Sequence, residues 1–342
     1  MTRHVNIPIF IPHLGCPNTC VFCNQRTISG VEAFRVDSVK HIIEENLSSV
    51  SRDDVVEIAF FGGSFTGIDR ELMIDLLKIA SSYISDGRVK SIRCSTRPDY
   101  INEEILDILK RYGVKTIELG LQSSDEDVLT VTKRGHGFAE EKRACELVVG
   151  YGFDLVGQMM IGLPKSSIET ELKTADFIIK SGAIGARIYP TVVFRGTELC
   201  SMVSSGEYTA LSVEEAIERS ALVFEKFVKS KIDVIRIGLC SSDNLLSEKT
   251  YFAGPNHPAL GELVINEYYY KLIKRKLSEL TVSDNDYVEI FVSPGSMSKT
   301  VGQKCKNKIR LAENFKIRKL SFKESDQVSE YDVLVQVNNG DK

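Results

Sequence analysis

The chain has 342 residues, of which 43% are hydrophobic, and a formal net charge of −4. This length is enough for one large barrel or sheet domain with an appendage, or for two domains. No apolar run approaches the roughly 20 residues of a membrane span, and the N-terminus lacks the apolar core of a signal peptide. Eight cysteines in a chain of this size do not make a disulfide scaffold. We therefore expect a cytoplasmic globular protein without membrane contact.

Strand-like and helix-like segments alternate from the N-terminus to about residue 240. Seven β-rich runs are predicted as strands: residues 5–11, 55–61, 90–94, 115–121, 153–161, 184–189 and 234–239. Between them, apolar residues at three- and four-residue steps predict helices. This alternation is typical of repeated β-α units around a parallel sheet. About six units are present, so a partial (β/α)6 TIM-like barrel or a doubly wound sheet would fit an α/β fold.

The pattern changes after residue 240. Residues 241–283 are loop-rich and are predicted as a linking or capping segment that ends in the helix NEYYYKLIKRKLSEL. In residues 284–342, the strand DYVEIFVSP, the helix SKTVGQKCKNKIRLAENF and two further strands predict a small α+β module. The segment from Lys299 to Lys323 holds nine Lys or Arg residues and one acid, which makes this module locally basic.

Three of the cysteines, Cys16, Cys20 and Cys23, lie together in the stretch GCPNTCVFCNQ. In a reducing compartment such a group is typical of a metal or catalytic site. A structural zinc site needs four ligands, and the nearest candidate for the fourth is His13. An iron–sulfur cluster held by three thiolates leaves one iron open to a substrate or cofactor, and we predict this second kind of site.

The Cys-x3-Cys-x2-Cys spacing, with Phe22 before the last cysteine, resembles the signature of the radical S-adenosylmethionine (SAM) enzymes. The resemblance implies a partial (β/α)6 barrel with a 4Fe–4S cluster on the three cysteines. The unique iron would bind the amino and carboxylate groups of SAM. It further implies reductive cleavage of SAM to a 5′-deoxyadenosyl radical, with a reducing flavodoxin or ferredoxin as the electron donor.

The second strand ends in a candidate contact for SAM, in the stretch VVEIAFFGGSFTG. Gly62 and Gly63 follow the strand, and paired glycines there let a ligand approach the backbone closely. The stretch resembles the glycine-rich motif of the family, although Ser64 replaces the acid often found in it.

Two further strands supply candidate cofactor residues. KTIELGLQS carries Glu118 and Gln122, and a glutamate inside a strand either points into a polar cavity or forms a salt bridge, for which Arg93 is a candidate partner. In the family this strand lines the cofactor site. From the stretch GQMMIGLP, which resembles the segment near the adenine, Gln158 and Ile161 are also candidates.

Four stretches resemble the radical domain of the Elongator catalytic subunit, which modifies the wobble uridine of tRNA: STRPDYI, RGHGF, ARIYPTVVFRGTELCSMVSSGEY and VIRIGL. The resemblance implies RNA, or tRNA specifically, as the substrate. Candidates for a substrate-facing or phosphate-facing mouth are Arg97, His136, Arg187 and Arg195, with surface salt bridges as the alternative. The Elongator catalytic subunit has a longer gap between its first two cluster cysteines and an acetyltransferase domain after the barrel. Neither feature is in this sequence, so we do not expect carboxymethylation.

The segment SKTVGQKCKNKIRLAENFKIRKLSF resembles a KH-type RNA-binding core, in which a Gly-x-x-Gly turn clamps a nucleic-acid backbone. Gly302 takes the first glycine position, but Cys305 stands at the second. Candidates for phosphate contact are Lys304, Lys306, Lys308 and Arg310. A solvated basic helix, or a cap for the barrel or for a partner protein, is the alternative.

Three hypotheses of function remain open on the sequence. The first is a radical SAM enzyme that acts on RNA. The second is a radical SAM enzyme that acts on a small molecule such as a porphyrin, because oxygen-independent coproporphyrinogen III oxidase shares the LG-x-QS strand. The third is a non-catalytic iron–sulfur protein that binds RNA.

Overall fold

A seven-stranded parallel sheet forms the core of the first part of the chain. The computed structural model describes residues 3–11, 14–16, 20–24, 34–51, 53–239, 249–280 and 286–338. The strands of this sheet are β1 (His4–Ile11), β2 (Val55–Gly62), β3 (Ser91–Thr96), β4 (Val114–Gln122), β5 (Asp154–Ile161), β6 (Gly185–Pro190) and β8 (Asp233–Ile237). They pair in chain order, and the described strands lack the reversal of order that marks a doubly wound sheet. The predicted partial barrel is therefore confirmed, and the doubly wound alternative is excluded.

Helices follow the strands of this sheet. They are α1 (Asp37–Ser48), α2 (Arg70–Ser85), α3 (Glu103–Arg111), α4 (Glu126–Val131), α5 (Phe138–Gly150), α6 (Ile168–Lys180) and α7 (Glu198–Ser205). Several begin at a side-chain cap: Asp69 accepts a hydrogen bond from Leu72 N at 3.0 Å, and Asn102 accepts one from Ile105 N at 2.9 Å. Short polar side chains cap a helix well because they accept the free N–H groups of its first turn. The short helices α4 and α7 were not predicted from the sequence.

Alternate residues of the strands lie on opposite faces of the sheet. On one face, apolar residues such as Ile58, Ile92 and Ile117 are fully buried. This face meets the helices, since a Cβ atom added at Gly157 of β5 would lie 2.7 Å from the Ile178 side chain of α6. The other face, here called the inner face, carries charged residues that pair across strands. The polar groups of the barrel are thus gathered on the face opposite the helices.

A second compact unit comprises residues 212–231 and 257–342. It contains α8 (Val213–Lys229), α9 (Leu260–Ser278) and a three-stranded sheet of β10 (Tyr287–Val292), β11 (Lys319–Glu324) and β12 (Val333–Asn338). The central strand β10 is parallel to β11 and antiparallel to β12. The helix α9 begins at Leu260, six residues before the predicted NEYYYKLIKRKLSEL segment.

The compact units do not follow the predicted boundaries of 1–240, 241–283 and 284–342, since the first unit holds residues 1–211 and 232–256. The reason is α8, which the sequence places between two strands of the barrel. It packs on α9, where the Phe224 and Tyr268 rings meet edge to face with centroids 5.2 Å apart. The apolar stripe of α8 thereby contributes to the core of the second unit.

The single helix predicted from SKTVGQKCKNKIRLAENF is wrong, because two helices are present, α10 (Met297–Val301) and α11 (Lys306–Phe315). Between them Gly302, Lys304 and Cys305 have φ angles of 79°, 52° and 59°. Positive φ values do not fit a right-handed helix, so the chain turns at this point.

Two smaller features complete the description. Short strands β7 (Val193–Phe194) and β9 (Tyr251–Ala253) form an antiparallel pair in the first unit. In the part of the chain that the structure describes, no helix is long and apolar enough to cross a membrane.

Candidate active site

The cysteine segment follows the end of β1. Cys20 is 4% exposed, Cys16 and Cys23 are half-buried, and all three are free thiols. His13, the fourth ligand of the zinc alternative, lies outside the described residues.

Backbone hydrogen bonds and apolar packing hold residues 20–24 in place. Val21 N donates to Thr132 O at 3.2 Å, and Val21 O accepts from Leu199 N at 2.8 Å. The Phe22 side chain is 9% exposed and belongs to an apolar cluster with Leu163 and Leu199. The segments after α4 and at the start of α7, which were not predicted as parts of the site, therefore position Cys20 and Cys23.

Two buried arginines direct a guanidinium nitrogen at the sulfur of Cys20. Arg134 Nη1 lies 3.2 Å and Arg97 Nη1 3.8 Å from Cys20 Sγ. Arg97 is neutralised by Asp99, to which its Nε and Nη2 atoms donate at 2.9 and 2.8 Å. Arg97 was predicted to face a substrate, and the structure instead places it beside Cys20.

Arg134 lacks such a counter-charge. It is 4% exposed, and within the described ranges no carboxylate forms an ion pair with it and its Nε atom has no hydrogen-bond partner. Its other contact is a hydrogen bond from Nη2 to Gly120 O. A buried, unpaired charge is costly, so this site is suited to an anionic group. In the stretch RGHGF only His136 was predicted as a site residue, and Arg134, which opens that stretch, was missed.

The predicted glycine turn lies next to the first cysteine. Gly63 N donates to Ile11 O at 2.9 Å, and Ser64 Oγ lies 3.6 Å from Cys16 Sγ. A Cβ atom at Gly63 would be 2.4 Å from Leu14 O. The absence of a side chain at Gly63 thus allows the chain after β1 to pack against the chain after β2. Gly62 has a φ angle of 112°, which also favours glycine.

The candidates on β4 and β5 lie in different environments. Gln122 ends β4 with a φ angle of 70°, and its Oε1 atom is buried without a partner among the described residues. Gln158 donates to Ser95 Oγ at 3.1 Å and to Glu118 Oε2 at 2.9 Å. Ile161 is fully buried, and its carbonyl accepts hydrogen bonds from Thr191 N and Oγ1 at 2.8 and 2.7 Å.

Glu118 is the centre of an ion-pair network on the inner face. It is fully buried, and Arg93 Nη1 donates to its Oε1 atom at 3.0 Å. Arg187 Nε and Nη2 donate to the two carboxylate oxygens at 2.7 and 3.0 Å. The salt bridge with Arg93, which was the alternative prediction for Glu118, is therefore present. With the bond from Gln158 included, the described residues already supply both oxygens of Glu118 with donors.

The network continues across the neighbouring strands. Glu57 on β2 accepts a hydrogen bond from Arg93 Nε at 2.9 Å and lies 2.8 Å from His4 Nε2. Burial by itself would raise the pKa of Glu57, but the hydrogen bond from Ser91 and the charge of Arg93 hold this pKa below its usual value. Carboxylates and guanidinium groups thus alternate from β2 to β6, which satisfies the charges that the inner face buries.

A second buried network lies behind Arg97. The His136 side chain is 1% exposed, with Nδ1 3.3 Å from Asp99 Oδ1 and Nε2 3.3 Å from Glu141 Oε1. Burial would lower the pKa of His136, but its hydrogen bonds to Asp99 and Glu141 raise this pKa. Burial raises the pKa of Glu141 to about 7 although His136 opposes the shift. This burial argues against the predicted substrate-facing role of His136. Its imidazole ring instead connects Asp99 to Glu141 on α5.

The remaining candidates lie at the surface. Arg195 is exposed, and its Cζ atom lies 5.2 Å from the centre of the Phe252 ring. In the second unit, Lys304, Lys306 and Lys308 are exposed and form no ion pair within the described ranges. Arg310 Nη1 instead donates to Glu267 Oε2 at 2.7 Å, and Arg310 Cζ lies 3.6 Å from the centre of the Tyr270 ring. The charge of Arg310 is therefore already paired and does not fit the predicted phosphate contact.

The residues around Cys20 fit an iron–sulfur cluster with a bound cofactor better than they fit a single metal ion. In the described part of the chain, no three His, Cys, Asp or Glu side chains converge as ligands of one ion. A 4Fe–4S cluster requires less convergence because its cysteines bind different iron atoms. Three free thiols, the unpaired guanidinium of Arg134 and the buried Gln122 Oε1 are consistent with an anionic, polar group at this place.

Comparison with known proteins identifies the class. Residues 10–178 match the radical SAM superfamily, and residues 184–270 match the radical SAM C-terminal domain. The chain therefore belongs to the radical SAM superfamily of enzymes, as the cysteine motif predicted.

Two of the proteins to which this chain is similar are a tRNA uridine(34) acetyltransferase and an Elongator protein. The chain is 30% identical over 185 residues to the tRNA uridine(34) acetyltransferase of Methanocaldococcus infernus, covering 48% of this chain and 35% of the relative. It is 26% identical over 253 residues to human Elongator complex protein 3, covering 62% of this chain and 46% of the relative. This chain thus matches between a third and a half of the length of these relatives.

A solved structure of the archaeal Methanocaldococcus infernus Elp3, with its N-terminus deleted, has a TM-score of 0.61 and 24% identity. The match covers 81% of this chain and 64% of that structure and establishes a shared fold.

Proposed function

We propose that the chain binds a 4Fe–4S cluster through Cys16, Cys20 and Cys23, and binds SAM beside it. The observation that carries the proposal is the buried guanidinium of Arg134, 3.2 Å from Cys20 Sγ and without a carboxylate partner in the described ranges. The cluster, when bound, supplies the electron that cleaves SAM into methionine and a 5′-deoxyadenosyl radical. A reducing flavodoxin or ferredoxin is the proposed source of that electron.

Arg134 has the chemistry to bind the SAM carboxylate. A guanidinium group binds a carboxylate through two parallel hydrogen bonds, and such charge-assisted bonds are stronger in a buried site. Arg134 Nε has no partner among the described residues, whereas Arg97 is already occupied by Asp99. Arg97 therefore forms an ion pair within the protein, whereas the guanidinium group of Arg134 is available to bind the ligand.

The nucleoside part of SAM requires neutral polar contacts. Gln122 ends β4 with a buried Oε1 atom that lacks a donor within the described residues, and a ribose hydroxyl is a suitable donor. The glycine turn at Gly62 and Gly63, next to Cys16, is the proposed contact for the amino group. Glu118 is not proposed as a direct contact, because Arg93 and Arg187 occupy both of its oxygens.

The proposed substrate is RNA, with tRNA as the first candidate. The proposal is supported by the names of the relatives, which are a tRNA uridine(34) acetyltransferase and Elongator proteins. It is further supported by the exposed Lys304, Lys306 and Lys308, which form no ion pair in the described part of the chain and could contact phosphates.

The cleavage activity can be tested without knowledge of the substrate. Protein reconstituted anaerobically with iron and sulfide, reduced with dithionite and given SAM, should release 5′-deoxyadenosine. A Cys20→Ala variant should lose the release and the 4Fe–4S signal in electron paramagnetic resonance. The matched control is Cys305→Ala, which changes the exposed cysteine of the second unit and should behave as the wild type. No cleavage by fully loaded wild-type protein would refute the proposal and favour a non-catalytic iron–sulfur protein.

The substrate is tested in cells. Total RNA from a deletion strain, and from the same strain complemented with wild-type or Cys20→Ala protein, should be digested to nucleosides and compared by mass spectrometry. A modified nucleoside that returns with the wild type alone would support RNA. An unchanged set of nucleosides, together with active SAM cleavage, would favour a small-molecule substrate.

A further inference from the structure

The three-stranded sheet of the second unit has one packed face and one open face. Its strand register aligns the side chains in three rows. On the packed face Val288, Ile290 and Val292 of the central strand are fully buried. The rows on the opposite face are Lys319–Tyr287–Asn338, Ser321–Glu289–Gln336 and Lys323–Phe291–Leu334. The nine residues of these three rows are here called the open face.

The open face is accessible to solvent. Tyr287 is 36% exposed and Leu334 is 45% exposed, Phe291 is half-buried, and Lys319 and Lys323 are exposed. Large apolar side chains on the exposed face of a sheet mark an interaction surface when they are grouped with polar residues. Two aromatic rings of the same strand, separated by four positions, lie on this face. Tyr287 has polar neighbours on both sides, and Phe291 lies between Lys323 and Leu334.

Positive charges accompany the aromatic rings. Lys319 Nζ lies 5.1 Å from the centre of the Tyr287 ring, and Lys323 Nζ lies 6.0 Å from that of Phe291. Lys323 also pairs with Glu289, which neutralises the acid of the open face. Lys319 forms no ion pair within the described ranges, so one positive charge remains beside Tyr287. The exposed Lys316 and Arg318 precede this end of β11 and add to the charge.

We propose that the open face binds single-stranded RNA, with bases stacked on Tyr287 and Phe291 and with phosphates near Lys319. Aromatic side chains on a sheet bind unpaired bases because every base has a flat π-face. Lysines beside them neutralise the backbone, and amide groups such as those of Gln336 and Asn338 can bind base edges. A protein partner would not require the unpaired positive charge of Lys319 beside the Tyr287 ring.

This surface differs from the basic turn at Lys304, Lys306 and Lys308. The turn lies between α10 and α11, whereas the open face belongs to the sheet and carries the aromatic rings. The turn has only charge to offer and would bind duplex and single-stranded RNA alike. The open face should prefer single strands, because the bases of a duplex are already stacked.

The test measures binding of a fluorescein-labelled 12-nucleotide oligouridine by fluorescence anisotropy, with a 12-base-pair RNA duplex for comparison. Wild-type protein should prefer the single strand. Tyr287→Ser and Phe291→Ser should each weaken binding about tenfold, as expected for the loss of one stacked base. Tyr287→Phe keeps the ring and should bind as the wild type does. Lys319→Gln should lower the dependence of log Kd on log salt by about 0.7.

Two controls separate a lost contact from a lost fold. Lys274→Gln changes an exposed lysine of α9 and should leave the affinity and salt dependence unchanged. Ultraviolet crosslinking of the oligouridine to wild-type protein, followed by mass spectrometry, needs no variant, and crosslinks should fall on residues 287–292. Absence of single-strand binding would overturn the proposal. Crosslinks confined to residues 303–308, or binding lost only when Lys304, Lys306 and Lys308 are changed, would assign RNA to the turn instead.

The inference rests on the proposed RNA substrate, but the two can fail separately. The Cys20→Ala variant should bind oligouridine as tightly as the wild type although it cleaves no SAM. Binding by protein that never cleaves SAM would refute the enzyme proposal and retain the open face. Cleavage of SAM with a modified tRNA nucleoside in cells, but without binding at residues 287–292, would retain the enzyme and refute the open face.

Discussion

Arg134 holds a guanidinium nitrogen 3.2 Å from the sulfur of Cys20, and no carboxylate of the described chain pairs with it. Arg97, the other arginine at this sulfur, is held by Asp99 through two hydrogen bonds. The two residues have the same charge and similar burial, but they differ in whether the guanidinium group is already paired with a carboxylate. Arg134 is free to bind an anionic ligand, whereas Arg97 is already committed to the protein.

Arg134→Gln should therefore weaken SAM binding by about 1.5–3 kcal/mol, the usual contribution of hydrogen bonds to a charged group. Isothermal titration calorimetry on anaerobically reconstituted protein measures this change. Arg143→Gln is the matched control, since Arg143 is on α5 and donates to the Ile101 carbonyl at 3.1 Å. Equal SAM affinity of the Arg134 variant and the wild type would contradict the role given to Arg134.

Glu118→Gln should destabilise the first unit. The change removes the negative charge that Arg93 and Arg187 share, and breaking a buried ion pair leaves uncompensated charges at a cost of about 3–5 kcal/mol. The midpoint of thermal or urea unfolding should fall accordingly. Glu104→Gln removes an acid that is 72% exposed and paired with Arg70 at the surface, and it should change stability by less than about 1 kcal/mol. A midpoint equal to that of the wild type would mean that the network does not stabilise the sheet.

The buried Glu141 should make stability depend on pH. Its pKa rises from 4.5 to about 7 on burial, against the opposing effects of His136 and Arg134. Between these values the folded state binds more protons than the unfolded state, so this group's contribution to the free energy of unfolding falls as pH rises from about 4.5 to about 7. Glu141→Gln removes that contribution.

The difference in unfolding free energy between the wild type and Glu141→Gln should thus decrease by up to about 3 kcal/mol over this range. Urea unfolding at pH 5, 6 and 7 measures it. Glu146→Gln changes an acid of the same helix that is 66% exposed, and its difference from the wild type should stay constant. A pH-independent difference for Glu141 would show that the carboxyl group titrates normally.

Gly63→Ala should disturb the junction between β2 and the cysteine segment. The new methyl group would lie 2.4 Å from Leu14 O, so the backbone would have to move. We expect a loss of about 1–3 kcal/mol in stability and a lower iron content after reconstitution, because Cys16 is two residues from Leu14. Gly150→Ala, at the end of α5, meets no atom within 4 Å and should be neutral or slightly stabilising. Wild-type iron content and stability in the Gly63 variant would show that the junction tolerates the displacement.

The sequence alone determined the strands of the main sheet and the class of the protein. The alternation of β-rich runs and helical patterns placed all seven strands of the main sheet within about two residues of their observed bounds, since periodicity and turn signals are local properties. The spacing of Cys16, Cys20 and Cys23 is also local, and it identified the superfamily. Side-chain caps such as Asp69 and Asn102 are likewise local signals of where a helix begins.

Only the tertiary structure decided which charges are available. Arg93, Arg97, Arg134 and Arg187 are alike in the sequence, but three of them are paired with carboxylates and one points at Cys20 without such a partner in the described ranges. Pairing depends on residues far apart in the chain, as for Arg187 and Glu118, which are 69 positions apart. The same holds for α8, whose apolar stripe fits the barrel or the second unit equally well until its packing partner α9 is known. Local patterns fix an element's type, whereas its partners follow from long-range contacts that no local pattern encodes.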